Sequence, residues 1–224
     1  MGEYALEMAG CRVLLLAARA LYWPEQQLLC IADVHFGKAA AYRAAGQPVP
    51  HGTTQDNLLR LDALLAAYPT RRLVFLGDFL HARASHAAAT LSAMQAWRLR
   101  HPQLVCTLVR GNHDLRAGDP PAAMEIEVVD EPLLLRPFAL CHTPAPRAGY
   151  QVIAGHVHPV FRLSGQGRQH LRLPCFQVGD GVVVLPSFGD FTGGHPVRSD
   201  PSTRIFLTEG SRVWPLPTAR VPGP

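Results

Sequence analysis

Short apolar runs that end in polar residues recur along this chain of 224 residues, and no other feature restricts its fold as strongly. Each run has the length of a buried strand. The five endings are Asp33-Val34-His35, Gly77-Asp78, Gly111-Asn112-His113-Asp114, His142 and Gly155-His156-Val157-His158. Open α/β sheets place their functional sites at the carboxyl ends of strands, so the pattern predicts one site assembled from five strand ends.

Any one of these endings also has an ordinary structural explanation. Gly, Asn and Asp are common turn formers, and a lone His-x-His pair is typical of an exposed surface. The repetition favours a functional site, because Asp33 with His35, and His156 with His158, stand two residues apart. If the strand geometry persists, both side chains of each pair project to the same face and can grip one cation.

The donor atoms indicate which ions the site would bind. Carboxylate, carboxamide and imidazole groups without a thiolate favour Mn²⁺, Fe or Zn²⁺ over copper(I) or a sulfur cluster. Cys141 adjoins His142 but would face the opposite way on a strand, so we expect it in the core. Seven ligands are too many for one tetrahedral ion, whereas two ions that share a bridging carboxylate use them all. Such a two-metal centre is suited to in-line displacement at phosphorus.

His113 fits best as a residue that does not bind metal. We expect it to protonate the leaving oxygen, with Asp114 orienting its ring and holding it cationic. The alternative is that His113 is a further metal ligand from the same turn.

The order of the predicted elements indicates the architecture. We expect a hairpin over residues 11–33, helices over about 36–45, from 53 or 54 to near 69, and over about 84–100, and strands over 71–76 and 104–109. The alternation predicts parallel βαβ units, and short apolar runs after residue 125 predict a second half made mostly of strands. We expect one domain over residues 1–224, with a flexible proline-rich tail from about residue 214.

Composition narrows the class of protein. The apolar stretch over residues 11–21 carries Arg12 and Arg19 and is too short to span a membrane, so we expect a cytoplasmic protein without a membrane partner. Five cysteines without a Cys-x-x-Cys pair favour reduced, buried thiols. The net charge of +4 comes almost wholly from arginine, which suits a phosphate-bearing partner, although a solvated surface explains it equally.

The five motifs resemble, in order, those of the calcineurin-like metallophosphoesterase superfamily, and they cover residues 33 to 158. The resemblance implies an α/β fold of four layers, with two packed mixed β-sheets flanked by helices, and a two-metal site at the strand ends. It also implies the ligands: one ion is held by Asp33, His35 and His158, the other by Asn112, His142 and His156, and both by Asp78.

Further segments resemble one branch of this superfamily, the ligase-associated DNA damage response endonucleases, which bacteria encode with an ATP-dependent DNA ligase, an exonuclease and a helicase. The segments are Asp33-Val-His-Phe-Gly-Lys38, Pro48-Val-Pro-His-Gly-Thr-Thr54, Gly77-Asp-Phe-Leu-His81, Leu185-Pro-Ser-Phe-Gly189 and Thr192-Gly-Gly194. The likeness implies a Mn²⁺-type phosphodiesterase that acts on DNA, at single-stranded or damaged ends, within a repair module. The ligase, exonuclease and helicase are then the candidate partners.

Two residues near the motifs have both a functional and a structural explanation. His81 resembles a histidine of a related family of DNA nucleases that contacts the substrate backbone, but a surface histidine at a helix start explains it as well. Lys38 and the glycines around Gly193 could hold phosphate, but a solvated lysine and a tight turn are equally consistent with the sequence.

Two other functions stay open. A phosphodiesterase or pyrophosphatase for a nucleotide or a lipid headgroup would share the fold and metals and differ in its substrate pocket. The second alternative is not an enzyme but a non-catalytic scaffold with the metallophosphoesterase fold. The intact ligand set and the presence of His113 argue against it.

Overall fold

The first of two β-sheets contains seven strands that lie side by side in chain order. The structure is a computed structural model, and it describes residues 2–49, 53–165, 167, 169–190 and 192–217. The strands are β1 (Glu3–Met8), β2 (Cys11–Leu16), β3 (Ala20–Trp23), β4 (Leu28–Ala32), β5 (Arg72–Leu76), β6 (Val105–Val109) and β7 (Ile126–Val129). Strands β1 to β4 form an antiparallel meander, and β4 to β7 run parallel. The predicted parallel units over residues 28–109 are confirmed.

Helices cover one face of this sheet. The α-helices are α1 (Lys38–Ala44), α2 (Thr53–Ala67), α3 (Ala88–Arg100) and α4 (Asp114–Ala117), and 3₁₀ turns occupy Pro24–Gln26, Arg83–His86 and Ala122–Met124. Leucines at positions 58, 61 and 64 recur at helical spacing and bury one face of α2 against the sheet, where Met94 and Trp97 of α3 join them. The apolar helix faces therefore form one of the two main cores.

Within the described ranges the second sheet contains nine strands. They are β8 (Leu133–Leu135), β9 (Phe138–Leu140), β10 (Gln151–Ala154), β11 (Pro159–Ser164), β12 (His170–Val178), β13 (Val182–Val184), β14 (His195–Pro196), β15 (Arg204–Thr208) and β16 (Val213–Pro215). Their order is β14-β11-β12-β13-β10-β9-β8, with β15 beside β12 and β16 beside β15. The other main core lies between the sheets, where Val74 and Leu76 pack in the same cluster as Phe138, Ile153 and Phe176.

The predicted α/β fold, with two packed mixed sheets flanked by helices, is confirmed. Strand β1 went unpredicted, and the segment expected to form a hairpin, residues 11–33, contains a third strand, β3, between β2 and β4. Strand β16 pairs with β15, so the ordered chain continues past residue 214, where we expected a flexible tail; residues 218–224 lie outside the described residues. The single-domain organisation stays a prediction, which is favoured by the core that the two sheets share between them.

The cysteines follow their sequence-based prediction. All five are free thiols, and four are buried, with Cys11 partly exposed.

No helix within the described ranges is long and apolar enough to cross a membrane.

A buried carboxylate joins the ends of β5 and β6. The Oδ1 atom of Asp114 accepts hydrogen bonds from the backbone N–H groups of Phe79, at 2.9 Å, and Leu80, at 3.2 Å. Its Oδ2 atom accepts one from the N–H group of Gly111 at 2.9 Å. Asp114 is 1% exposed, so these N–H groups have little access to water as an alternative partner. The carboxylate therefore fixes the two turns relative to each other.

We expect Asp114→Ala to lower the free energy of unfolding by about 3 kcal/mol or more, because three buried N–H groups lose their acceptor. Asp114→Asn keeps an oxygen for Phe79 and Leu80 but sets an N–H group against that of Gly111, which predicts a loss of about 1–2 kcal/mol. Urea unfolding measures both. As a control, Asp130→Ala removes a carboxylate that is 82% exposed, and we expect a loss within about 1 kcal/mol. Equal losses in all three variants would contradict this role of Asp114.

Candidate metal centre

The five motifs meet where the two sheets approach each other. Strands β4, β5 and β6 are parallel neighbours in the first sheet, and β9 and β10 are parallel neighbours in the second, so their carboxyl ends align within each sheet. The predicted donors follow these ends directly: Asp33 and His35 follow β4, Asp78 follows β5, Asn112 follows β6, His142 follows β9, and His156 and His158 follow β10.

One group of donors contains Asp33, His35, Asp78 and His158, whose donor atoms all lie within 4.8 Å of one another. The Nε2 atoms of His35 and His158 are 3.5 Å apart. The Nε2 atom of His158 is also 3.4 Å from Oδ1 of Asp33. The structure thus brings together the three residues predicted for one ion and the predicted bridging carboxylate.

A second group contains Asn112, His142 and His156. The Nε2 atom of His142 lies 2.9 Å from Oδ1 of Asn112 and 2.9 Å from Nδ1 of His156. The Nδ1 atom of His142 lies 3.1 Å from the carbonyl oxygen of Leu76, to which it can donate its proton. That hydrogen bond leaves Nε2 as the free donor atom, the usual arrangement of a metal-binding histidine.

The carboxylate of Asp78 lies between the two groups. Its Oδ2 atom is 3.7 Å from Nε2 of His35, and its Oδ1 atom is 3.5 Å from Nε2 of His142. The backbone N–H group of His113 donates to Oδ1 at 2.9 Å. Each oxygen therefore faces a different group of donors, as a carboxylate shared by two ions would require.

The buried charge of the centre indicates that it can bind metal ions. Asp33 is 0% and Asp78 3% exposed, and within the described ranges no Lys or Arg side chain lies within 4 Å of either carboxylate. Two buried carboxylates without a cation are unfavourable. Burial, and then the charge of Lys38, lowers the pKa of His35 well below its ordinary value, so its imidazole is neutral and can bind a cation. Oxygen and neutral nitrogen donors fit divalent ions of the manganese, iron and zinc type.

Most of the predicted donors have a backbone conformation that is rare outside glycine. The φ angles are 52° at Asp33, 49° at His35, 50° at Asp78, 71° at His156 and 51° at His158. A non-glycine residue in a sparsely populated region costs of order 1–3 kcal/mol, so the surroundings must hold these turns in place.

Glycines make room for donors that belong to other motifs, as at Gly77 and Gly111. A Cβ atom at Gly77, where φ is 76°, would lie 2.1 Å from Nδ1 of His142. A Cβ atom at Gly111 would lie 2.4 Å from Oδ1 of Asp78. Any other residue at either position would displace a donor, so the close approach of the strand ends requires glycine there.

His113 is oriented by His81 rather than by Asp114. Its Nδ1 atom lies 2.8 Å from the carbonyl oxygen of His81, and the two rings stack with centroids 5.0 Å apart. Our prediction that Asp114 orients His113 is therefore wrong, because the carboxylate of Asp114 is occupied by backbone N–H groups. With Nδ1 directed at the carbonyl, Nε2 lies 4.0 Å from Oδ2 of Asp78, and the side chain is 30% exposed.

The structure places His81 beside the centre. Its Nδ1 atom lies 3.4 Å from Nδ1 of His35. Apart from the two groups described above, one donor atom from each of His35, His81 and His113 forms a cluster that could also hold an ion. Burial, and then the charge of Lys38, lowers the pKa of His81 to about 4. His81 thus contacts both His35 and His113. Its role stays a prediction, and the alternative that His113 is a ligand stays open.

Two residues that support the centre were missed by sequence reasoning. The Oγ atom of Ser187 donates to the carbonyl oxygen of Asp33 at 2.7 Å. The carboxylate of Glu131 accepts from the backbone N–H groups of His142, at 2.7 Å, and Thr143, at 2.8 Å. Ser187 lies in a segment singled out by resemblance, which gave it no role. Nothing in the sequence around Glu131 signals its contact.

Among solved structures, the chain is similar to the crystal structure of Pseudomonas putida nuclease MPE. The two sequences are 48% identical over 96% of this chain and 100% of that chain, with a TM-score of 0.85. A protein of unknown function from Aquifex aeolicus is 21% identical over 63% of this chain and 82% of its own, with a TM-score of 0.41. The Escherichia coli phosphoesterase Yfce is 15% identical over 80% and 86%, with a TM-score of 0.38. The last two similarities are too distant to support an argument.

No protein-family model and no curated protein matches the sequence. The similarity to the Pseudomonas nuclease, however, extends over nearly the whole of both chains, and the five ordered motifs occupy the strand ends that the resemblance implied. The chain belongs to the calcineurin-like metallophosphoesterase superfamily and is a hydrolase acting on phosphodiester bonds.

Proposed function

We propose that this protein is a two-metal phosphodiesterase that cleaves DNA, at single-stranded or damaged ends, during bacterial DNA repair. The observation that carries the proposal is the position of Asp78, whose oxygens are 3.7 and 3.5 Å from nitrogen donors of the two groups. In this proposal Asp33, His35 and His158 bind one ion, and Asn112, His142 and His156 bind the other. Mn²⁺ is the preferred metal, with Fe or Zn²⁺ as alternatives.

Bound divalent ions would supply the positive charge that stabilises a phosphoryl group under attack. The protein itself supplies the acid. Because Nδ1 of His113 can donate to the carbonyl oxygen of His81, its Nε2 atom is directed towards Asp78 and can carry a proton to the leaving oxygen. The His81 ring stacks on His113 and contacts His35, so we assign it to holding the acid and the substrate backbone.

The assignment to DNA is supported by similarity and by charge. The Pseudomonas protein that is 48% identical to this chain is a nuclease, and arginine supplies nearly all of the net charge of +4. We propose that a DNA ligase, an exonuclease and a helicase are its partners and that it acts in the cytoplasm, for which the five free thiols are suited. A phosphodiesterase for a small nucleotide or a lipid headgroup is the alternative that the metal centre alone permits.

We expect Asp78→Ala to abolish the hydrolysis of bis-p-nitrophenyl phosphate and to lower the metal content, because both ions lose a shared ligand. The measurement is metal analysis together with turnover at added Mn²⁺. Asp62→Ala is the control, since that carboxylate pairs with Arg100 and His101 between α2 and α3. A fully metallated and active Asp78→Ala protein would rule out the two-metal assignment.

We expect His113→Ala to keep both metal ions and to slow the cleavage of an oligonucleotide by roughly 10²–10⁴-fold, the contribution of a good general acid. The p-nitrophenolate group leaves with little protonation, so turnover of the aryl ester falls far less. Metal analysis and rates on both substrates measure this, with His170→Ala, an exposed histidine, as the control. Loss of metal, or equal slowing of both substrates, would show that His113 is a ligand or a phosphate-binding residue.

The proposed DNA substrate predicts a strong dependence of binding on salt. Arginine side chains that neutralise backbone phosphates release counterions, so log K falls linearly with log salt concentration, by about 0.7 for each phosphate contact on a single strand. Fluorescence anisotropy measures this slope, with a labelled single-stranded oligonucleotide titrated at salt concentrations between about 50 and 200 mM. Salt-independent binding would favour the small-molecule alternative.

A further inference from the structure

The structure buries Lys38, the only lysine of the chain. Its residue surface is 8% exposed, at the start of α1, and its backbone N–H group donates to the carbonyl oxygen of His35 at 3.1 Å. The sequence permitted a solvated lysine at this position, and the structure excludes it. A buried ammonium group is unfavourable unless an anion accompanies it.

No such anion is provided by the part of the chain that the structure describes. None of its carboxylates lies within 4 Å of the Lys38 ammonium group, which instead lies 5.6 Å from the centre of the Tyr42 ring. Burial lowers the pKa of Lys38, and the more distant charge of Asp78 raises it. The folded protein thus tolerates an unpaired buried cation beside its predicted metal centre, a feature that is typical of functional sites.

The surroundings of Lys38 place its ammonium group on the His113 side of the centre. The Nζ atom of Lys38 lies 5.6 Å from the centre of the Tyr42 ring, and the centre of that ring lies 5.6 Å from the centre of the His81 ring. The His81 ring in turn stacks on that of His113. The charge of Lys38 also contributes to lowering the pKa of both His35 and His81.

The side of the centre beside Asn112 and His156 carries more acidic than basic side chains. A cavity of about 270 Å³ beside Asn112 and His156 is lined by Asp130 and Glu131. Arg110, which also lines it, has its guanidinium group bound to Asp119 and Asp130 at 2.7–2.9 Å. An anionic phosphodiester is therefore favoured on the side of Lys38 rather than on this side.

We propose that the Lys38 ammonium group binds a nonbridging oxygen of the scissile phosphodiester and so holds the substrate on the His113 side of the metal centre. This inference rests on the proposed function and adds a phosphate-binding residue to it. Lysine suits the role, because a compact ammonium group offers three donors to phosphate oxygens as a point charge.

The test compares Lys38→Met with wild-type protein and with Arg71→Met, which removes an exposed cation before β5, at the end of that strand opposite Asp78. We expect Lys38→Met to keep its Mn²⁺ content. Without metal, its melting temperature should be at least that of the wild type and up to about 2–4 °C higher, because an unpaired buried charge is removed. Inorganic phosphate, titrated into the Mn²⁺-loaded proteins by thermal shift, should bind Lys38→Met about 10–100-fold more weakly. Turnover of bis-p-nitrophenyl phosphate should fall by about 10²-fold.

Labelling of the wild-type protein tests the same contact without a substitution. Trinitrobenzenesulfonate modifies amines, and with a single lysine in the chain mass spectrometry reads the modification of Lys38 directly. We expect inorganic phosphate to slow this labelling in the Mn²⁺-loaded protein.

Three results would overturn the inference: unchanged phosphate affinity and turnover in Lys38→Met, a melting temperature that falls below that of Arg71→Met, or labelling that phosphate does not slow. If phosphate binds through Lys38 but the wild type hydrolyses no phosphodiester, Lys38 is a phosphate-binding residue and the proposed function fails.

Discussion

The carboxylate of Asp33 joins the two sheets at the candidate metal centre. Both of its oxygens accept a hydrogen bond from the backbone N–H group of His156, at 3.1 and 2.9 Å. Asp33 follows a strand of the first sheet, and His156 follows a strand of the second. The carbonyl oxygen of Asp33 accepts from Ser187 and Gly189. Through one residue, the donors of both sheets acquire a fixed relative position.

The strained turns of the donors follow from the need to hold donors of both sheets close together. After β4, β5 and β10 the chain turns sharply and so brings the donors together, and left-handed residues provide these three turns. Hydrogen bonds to buried carboxylates compensate for the strain, as at Asp114, which binds three backbone N–H groups. The network that stabilises the fold at this edge is thus largely the network that positions the donors.

The sequence contained the strands and the donors, because both depend on local patterns. Apolar runs predicted β4, β5 and β6, and the polar residues after them predicted the site. The alternation in Glu3-Tyr-Ala-Leu-Glu-Met8 also marks a half-buried strand, and reading it would have added β1. The supporting contacts have no such signal: Ser187 binds a carbonyl group 154 positions away. The partners of Asp114 and the burial of Lys38 likewise have no local signal, because both depend on segments that are distant in the sequence and meet only in the fold.

The division of the donors between the two sheets has a consequence for the timing of synthesis. The first sheet is built from strands in chain order, so it can form as the chain emerges from the ribosome. It then presents Asp33, His35, Asp78 and Asn112, but the imidazoles of His142, His156 and His158 and the hydroxyl group of Ser187 come later in the chain. An incomplete nascent chain therefore presents only part of the predicted donor set, and the candidate metal centre is complete only when the second sheet closes on the first.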